Sequence, residues 1–236
     1  MSSDYLIKLE NVTKEFSGKK GRVKALEDIN LEIKRGEFVV IVGPSGAGKT
    51  TLLNIMAGMD RPTKGRVIFS GRDYGDLDEE ELAKLRREKF GFIFQFFNLI
   101  DSLTVVENVI APALPSDLPI REISARAEEL LAGMKLLSKK YRFPKELSAG
   151  EQQRVAIARA MITKPEVLFC DEPTAQLDEE MTEKVLNDLI EINRAGTTVI
   201  LATASETVAN KLRRSGARTI HIEYGKITST ETPRRS

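Results

Sequence analysis

Leu147–Pro173 reads LSAGEQQRVAIARAMITKPEVLFCDEP. Its front end pairs a hydroxyl, Ser148, with Gly150 where a helix should begin, and Glu151 stands three residues after the serine, the spacing of a capping box. Its back end runs four apolar residues, Val167–Cys170, into two adjacent carboxylates, Asp171 and Glu172. A short unbroken apolar run of that kind reads as a buried strand. About a hundred residues earlier stands GPSGAGKT, Gly43–Thr50, directly after another apolar run, EFVVIV at 37–42.

Working outward, YLIKLENVT (5–13) and LEDINLEIK (26–34) alternate apolar and polar residues and predict half-buried strands, with the polar GKKG between them as a turn. RVIFS (66–70), FGFIFQ (90–95), EVLFCD (166–171), TTVILAT (197–203), ARTIHIE (217–223) and GKIT (225–228) predict further strands. Helices are expected over TLLNIMAGM (51–59), the charged 78–88 segment and 179–194. Residues 104–137 read as helices broken by Pro112, Pro115 and Pro119. TETPRRS at 230–236 reads as a frayed tail. Strands alternating with helices predict an α/β fold with a mainly parallel sheet and an antiparallel β portion at the N-terminal side. The expected organisation is a single domain over 1–236, its core built from 1–95 and 163–236 and a helical subdomain inserted at 96–162.

Composition narrows the function classes. Lys and Arg number 36 against 35 Asp and Glu, a net charge of +1, which argues against nucleic acid as a partner. The basic pairs Lys19-Lys20, Arg86-Arg87 and Arg213-Arg214 read as solvated turns or helix faces. One cysteine, Cys170, excludes an intrachain disulfide and suits a reducing compartment. Charges at Asp4, Lys8 and Glu10 argue against a signal peptide. No run of about 18 apolar residues is present. The expectation is a cytoplasmic protein.

The chemistry sits in the motifs. GPSGAGKT satisfies G-x-x-x-x-G-K-[ST] between a strand and a helix, so its glycines let backbone N–H groups curl around phosphate oxygens. Lys49 supplies a charge for the β- and γ-phosphates, and the Thr50 hydroxyl can bind Mg2+. Two neighbouring carboxylates ending a buried strand are costly without a cation. Asp171 fits a water-mediated Mg2+ ligand, and Glu172 fits the general base or orienter for an attacking water.

The three motifs in this order resemble the nucleotide-binding subunit of an ATP-binding cassette (ABC) transporter. RPTKGRVIFSG, LAKLRREKFGFIFQFFNLIDSLTVVENV and QQRVAIARAM look like the lipoprotein-release, macrolide-export and cell-division branch. The resemblance covers residues 5–228 and implies an ATPase using ATP and Mg2+ as a homodimer or a heterodimer with another ABC ATPase. It also implies a separate integral-membrane permease and a position at the cytoplasmic face of the membrane.

Within it, Gly43, Pro44, Ser45, Gly46, Ala47, Gly48, Lys49, Thr50 and Thr51 would hold ATP, and Phe16 would stack on adenine where tyrosine is commoner. Ser148, Ala149, Gly150, Glu151 and Asp178 would meet the ATP held by the opposite subunit, with alanine at Ala149 where the family usually has glycine. Asp178 closes TAQLD (174–178), which resembles the loop that crosses to that subunit. Lys49, Gln95 and Glu172 would serve catalysis, and Thr50, Gln95 and Asp171 the metal.

LATASE (201–206) departs from the pattern. Ala204 stands where the family has a histidine that hydrogen-bonds the γ-phosphate, and the chain's one histidine, His221, reads as a strand residue. Two alternatives follow: a nucleotide-gated partner that hydrolyses poorly, or a soluble ABC ATPase outside transport.

Overall fold

The computed structural model describes residues 5–18 and 21–232; residues 1–4 (with Asp4), Lys19-Lys20 and residues 233–236 lie outside them. Two sheets make up the β structure. The first is antiparallel, in the order β2 (Gly21–Ile33), β1 (Ile7–Gly18), β4 (Lys64–Phe69) and β5 (Arg72–Asp73). The second runs β10 (Lys226–Glu231), β9 (Arg218–Glu223), β3 (Phe38–Val42), β8 (Thr198–Thr203), β7 (Val167–Asp171) and β6 (Phe90–Ile93). Five of its strands are mutually parallel; β10 returns antiparallel on β9.

The apolar runs sit where both sheet faces are covered. All five residues of β3 and all six of β8 are buried. Val39 and Ile41 pack with α1 (Lys49–Met56) and the antiparallel sheet, whereas Val40 and Val42 face α6 (Glu179–Arg194) and α7 (Glu206–Arg214). Each such side chain contributes about 1.5–3 kcal/mol on burial, which explains a strand with no polar position.

A third core lies among α3 (Val105–Ile110), α4 (Ile120–Gly133) and α5 (Ala149–Met161), built on Val109, Leu131 and Val155. The prolines punctuate as expected: α3 gives way to a 3-10 turn at Ala111–Ala113, and Pro119 precedes α4. α2 (Glu79–Lys89) carries Arg86-Arg87, and α7 carries Arg213-Arg214.

Several boundaries differ from the sequence expectation, each for a local reason. β1 and β2 form a longer hairpin than the alternation predicts. Register shifts interrupt it between Leu9 and Glu15, and Asn11 and Asp28 adopt left-handed φ of 50° and 51°. These bulges break the period-two pattern without ending the pairing. β6 stops at Ile93, so Phe94 and Gln95 are not strand residues; Phe97 N–H closes a turn on the Phe94 carbonyl at 3.2 Å. The helix expected over 51–59 begins two residues earlier, at Lys49, and ends at Met56 before the left-handed Gly58. Thr230 and Glu231 belong to β10 rather than to a tail, with Glu231 opposite Thr219.

Candidate functional site

Parallel strands present their carboxyl ends along one edge, which is where open α/β sheets bind ligands. Here β3 runs into Gly43, β8 into Ala204, β7 into Glu172 and β6 toward Gln95. Register fixes their order. Val42 pairs with Thr203, Asp171 with Ala202 and Ile93 with Cys170, so the segments line up side by side.

Close packing shapes the phosphate loop. A Cβ on Gly43 would lie 2.1 Å from the Ile222 carbonyl oxygen, and Gly48, at φ +105°, caps α1 where a Cβ would meet the Ala25 carbonyl at 2.5 Å. The turn between β9 and β10 braces the loop: Gly225 N–H donates to the Ala47 carbonyl at 3.0 Å, and Glu27 N–H donates to the Gly225 carbonyl at 2.8 Å.

Lys49 is 6% exposed. Its ammonium donates to the carbonyls of Gly43 at 2.8 Å and Pro44 at 3.0 Å, and lies 3.6 Å from the Glu172 carboxylate. A buried ammonium needs such acceptors. The phosphate loop has folded its own carbonyls and Glu172 around that charge. The Thr50 hydroxyl donates to Asp171 Oδ2 at 2.8 Å, while Asp171 Oδ1 is buried without a partner. Burial raises the pKa of Asp171 above its usual range, against the opposing pull of the Thr50 hydrogen bond and the Lys49 charge. Among the described residues no cluster of three His, Cys, Asp or Glu forms a ready-made cage. One carboxylate and one hydroxyl beside a phosphate site are instead the oxygen donors suited to a cation held partly by its substrate.

Glu172 is a non-glycine residue at φ 47°. Its N–H donates to the Ala202 carbonyl at 2.9 Å, and its carbonyl accepts from Ala175 N–H at 3.2 Å. Ala204 is exposed on the bend after β8. Ser205 follows it, donating N–H to Thr203 Oγ1 at 3.0 Å and capping α7. His221 lies on β9 opposite Val42 and faces Glu231 at 3.3 Å and Glu206 at 4.0 Å. Cys170 is wholly buried, and burial pushes its thiol pKa up.

The other sequence-predicted residues lie apart. Phe16 is 45% exposed on the β1–β2 hairpin, with the Lys14 ammonium 5.0 Å from its ring. Ser148 caps α5 in the predicted capping box with Glu151, whose carboxyl is held low by Lys139. Ala149 and Gly150 open that helix, and Met181 sits where a Gly150 Cβ would go. Asp178 caps α6 by accepting from Met181 N–H at 2.7 Å, a structural role the motif alone does not reveal. No hydrogen bond among the described residues joins Ser148–Glu151 to Gly43–Thr51. Pro44, Ser45, Gly46 and Thr50 are exposed, so the loop is an open ledge. A cavity of about 830 Å³ lies elsewhere, beside β1, β2, β9 and β10.

The sequence model of the ABC transporter family matches residues 26–175, from β2 through the phosphate loop to Glu172 and beyond. The chain belongs to the ABC transporter family. It is an ATP-binding cassette of that family.

The lipoprotein-releasing system ATP-binding protein LolD of Aquifex aeolicus is 42% identical over 227 residues, 96% of this chain and 98% of its own. The macrolide export ATP-binding/permease protein MacB of Marinobacter nauticus is 44% identical over 236 residues, 99% of this chain but 36% of its own. The cassette thus spans about a third of the length of its MacB relatives. The dimeric post-hydrolysis structure of the ATP-binding cassette MJ0796 bound to ADP and Pi superposes with a TM-score of 0.88 at 41% identity, over 98% of this chain and all of that one.

Sequence reasoning missed Gln153. It is 0% exposed on α5 and donates to the Pro173 carbonyl at 2.6 Å. The signal was the glutamine's place on the inner face of an otherwise apolar helix stripe.

Proposed function

We propose that this cassette closes on a second cassette, head to tail, around two ATP molecules and thereby drives an integral-membrane permease. The observation that carries this is the half-built site: Lys49, Thr50, Asp171 and Glu172 converge, while Ser148 and Ala149 stand exposed at the start of α5, available to another chain's ledge, with Gly150 buried behind them against Met181. Residues 96–162 act as the helical subdomain presenting that helix start. No described helix is long and apolar enough to cross a membrane, which fits attachment to the cytoplasmic face through the permease.

ATP binds with its phosphates over Gly43–Thr51 and its adenine on Phe16. The phosphate oxygens take over the Lys49 ammonium from the Gly43 and Pro44 carbonyls. Thr50, Asp171 and Gln95 would hold Mg2+, which supplies neutralisation of charge on the β- and γ-phosphates. Glu172 accepts the proton of the attacking water. Ser148 and the N-terminus of α5 offer a hydroxyl and positive potential to the γ-phosphate bound by the partner. With Ala204 in place of an imidazole, turnover is slow rather than absent, because Glu172 still orients the water.

Two measurements test the assignment. Lys49→Ala should weaken ATP binding tenfold or more by calorimetry, since charge-assisted bonds are worth about 1.5–3 kcal/mol each. Glu172→Gln should bind ATP and Mg2+ but not turn over, and light scattering should show an ATP-dependent dimer that Ser148→Arg abolishes. A Glu172→Gln protein that stays monomeric at high protein and ATP concentration counts against the sandwich.

A further inference from the structure

Gln153 lies where the helix that starts at Ser148 touches the segment that carries Glu172. The side chain is completely buried; its Nε2 donates to the Pro173 carbonyl, and its Oε1 is buried with no partner. An amide kept in an apolar core with one atom unsatisfied is unfavourable, and an aliphatic side chain would fill the place at lower cost. The bond it does make falls at a telling point.

Pro173 follows Glu172 directly and has no N–H, so its carbonyl is that residue's one main-chain handle. Glu172 itself holds the left-handed φ of 47°, with its N–H on the Ala202 carbonyl of β8. The Glu172–Pro173 unit is therefore fixed from two sides, by the sheet through Ala202 and by α5 through Gln153. Gln153 stands five positions after Ser148 on that helix. A displacement of α5 has a direct route to the carboxylate that faces Lys49.

We propose that Gln153 is a positioning residue for ATP hydrolysis, tying the α5 helix to the peptide that aims Glu172. This rests on the assignment of Glu172 as the base. The bond fixes the direction of the Pro173 carbonyl, and through it the direction of the strained Glu172 backbone. Gln153 touches neither ATP nor the attacking water; it acts through Glu172.

The test uses the full chain with ATP and Mg2+. Glu172→Gln is measured first, and a variant that turns over at the wild-type rate removes the base assignment and this proposal with it. Gln153→Met then keeps the side chain's length without a donor, and Gln153→Glu keeps its shape but sets an acceptor against the Pro173 carbonyl. Each should lower kcat about ten- to hundredfold, the effect of a misplaced reacting group. KM, calorimetric ATP affinity and the ATP-driven dimer should stay within about twofold of wild type. Added to Glu172→Gln, neither should slow single-turnover hydrolysis further, because the group being aimed is gone. Equal fractional losses in both backgrounds would overturn the proposal. So would a loss confined to KM or ATP affinity, or a kcat near wild type. The two substitutions perturb the bond differently, so a folding defect in one leaves the other to decide.

Discussion

Gly43→Ala isolates the packing of the phosphate loop from its chemistry. The added Cβ would lie 2.1 Å from the Ile222 carbonyl oxygen, about 1.3 Å short of the 3.4 Å at which ordinary contact begins. Gly43 needs no positive φ, so the backbone accepts alanine and the collision is wholly with β9. That strand cannot retreat. His221 is paired to Val42, Ile222 is paired to Ile227, and Ile222 is fully buried. The loop must lift instead, carrying away the carbonyl that holds Lys49. Overpacking of this kind costs about 1–3 kcal/mol. For a chain of this size each kcal/mol moves the melting temperature about 2–4 °C, so a fall of about 2–12 °C is expected. ATP affinity by calorimetry should drop tenfold or more as the loop N–H groups lose their aim. Gly71→Ala is the control, with φ +81° but open space around the Cβ. It should lose about 1–2 kcal/mol of stability from the left-handed conformation and keep ATP affinity. A Gly43→Ala protein that melts and binds ATP like wild type would refute the reasoning.

Ala204→His should raise steady-state phosphate release by about tenfold or more, since a positioned polar group in such a site is worth about 10²–10³ in rate; Ser205 already fixes the bend through Thr203, and a variant no faster than wild type at equal ATP affinity would show that Glu172, Gln95 and Lys49 suffice. Phe16→Ala should weaken ATP about fivefold or more by calorimetry, from lost stacking, with little change in melting temperature because the ring is half-exposed. Asp188 has its pKa raised by burial, and its Oδ2 is buried and unpartnered. A raised carboxyl contributes stability that is present below its unfolded pKa and lost as pH rises through the folded one. Asp188→Asn should therefore raise the melting temperature at pH 7.5 by about 1–4 °C, a gain that shrinks as pH falls toward the ordinary carboxylate range in parallel thermal melts.

The fold was legible wherever one physical signal governed one segment. The buried strands β3, β7 and β8 announce themselves as apolar runs, and the helix expected over 179–194 is α6. The strands expected at 5–13 and 26–34 pass through the left-handed Asn11 and Asp28, where Asn11 N–H donates to Asn30 Oδ1 at 2.9 Å and Asn11 Nδ2 to Asp28 Oδ1 at 3.0 Å; the part read short, 14–18 and 21–25, lies beyond the register shifts between Val12 and Glu15. A period-two pattern cannot carry through a bulge. The phosphate loop, Asp171 and Glu172 were legible because their chemistry is compressed into adjacent residues. Gln153 was not, because its partner is a backbone carbonyl 20 residues away and no side-chain code marks a carbonyl. Asp178 shows the opposite limit, a motif residue whose cap was invisible until α6 was placed.

The brace between Gly225 and Ala47 has a consequence for how the protein is made. The strand that launches the phosphate loop, β3, is flanked by β8 and β9, partners more than 150 residues downstream. The loop's carbonyl at Ala47 then waits for the N–H of Gly225. A ribosome releases the chain from its N-terminal side, so residues 38–50 emerge long before anything that can hold them. A nascent chain truncated before residue 225 carries every residue of GPSGAGKT and still lacks its scaffold. ATP capture thus depends on the β9–β10 hairpin as much as on the loop's own residues, and nucleotide can act as a stabilising ligand once that hairpin is in place.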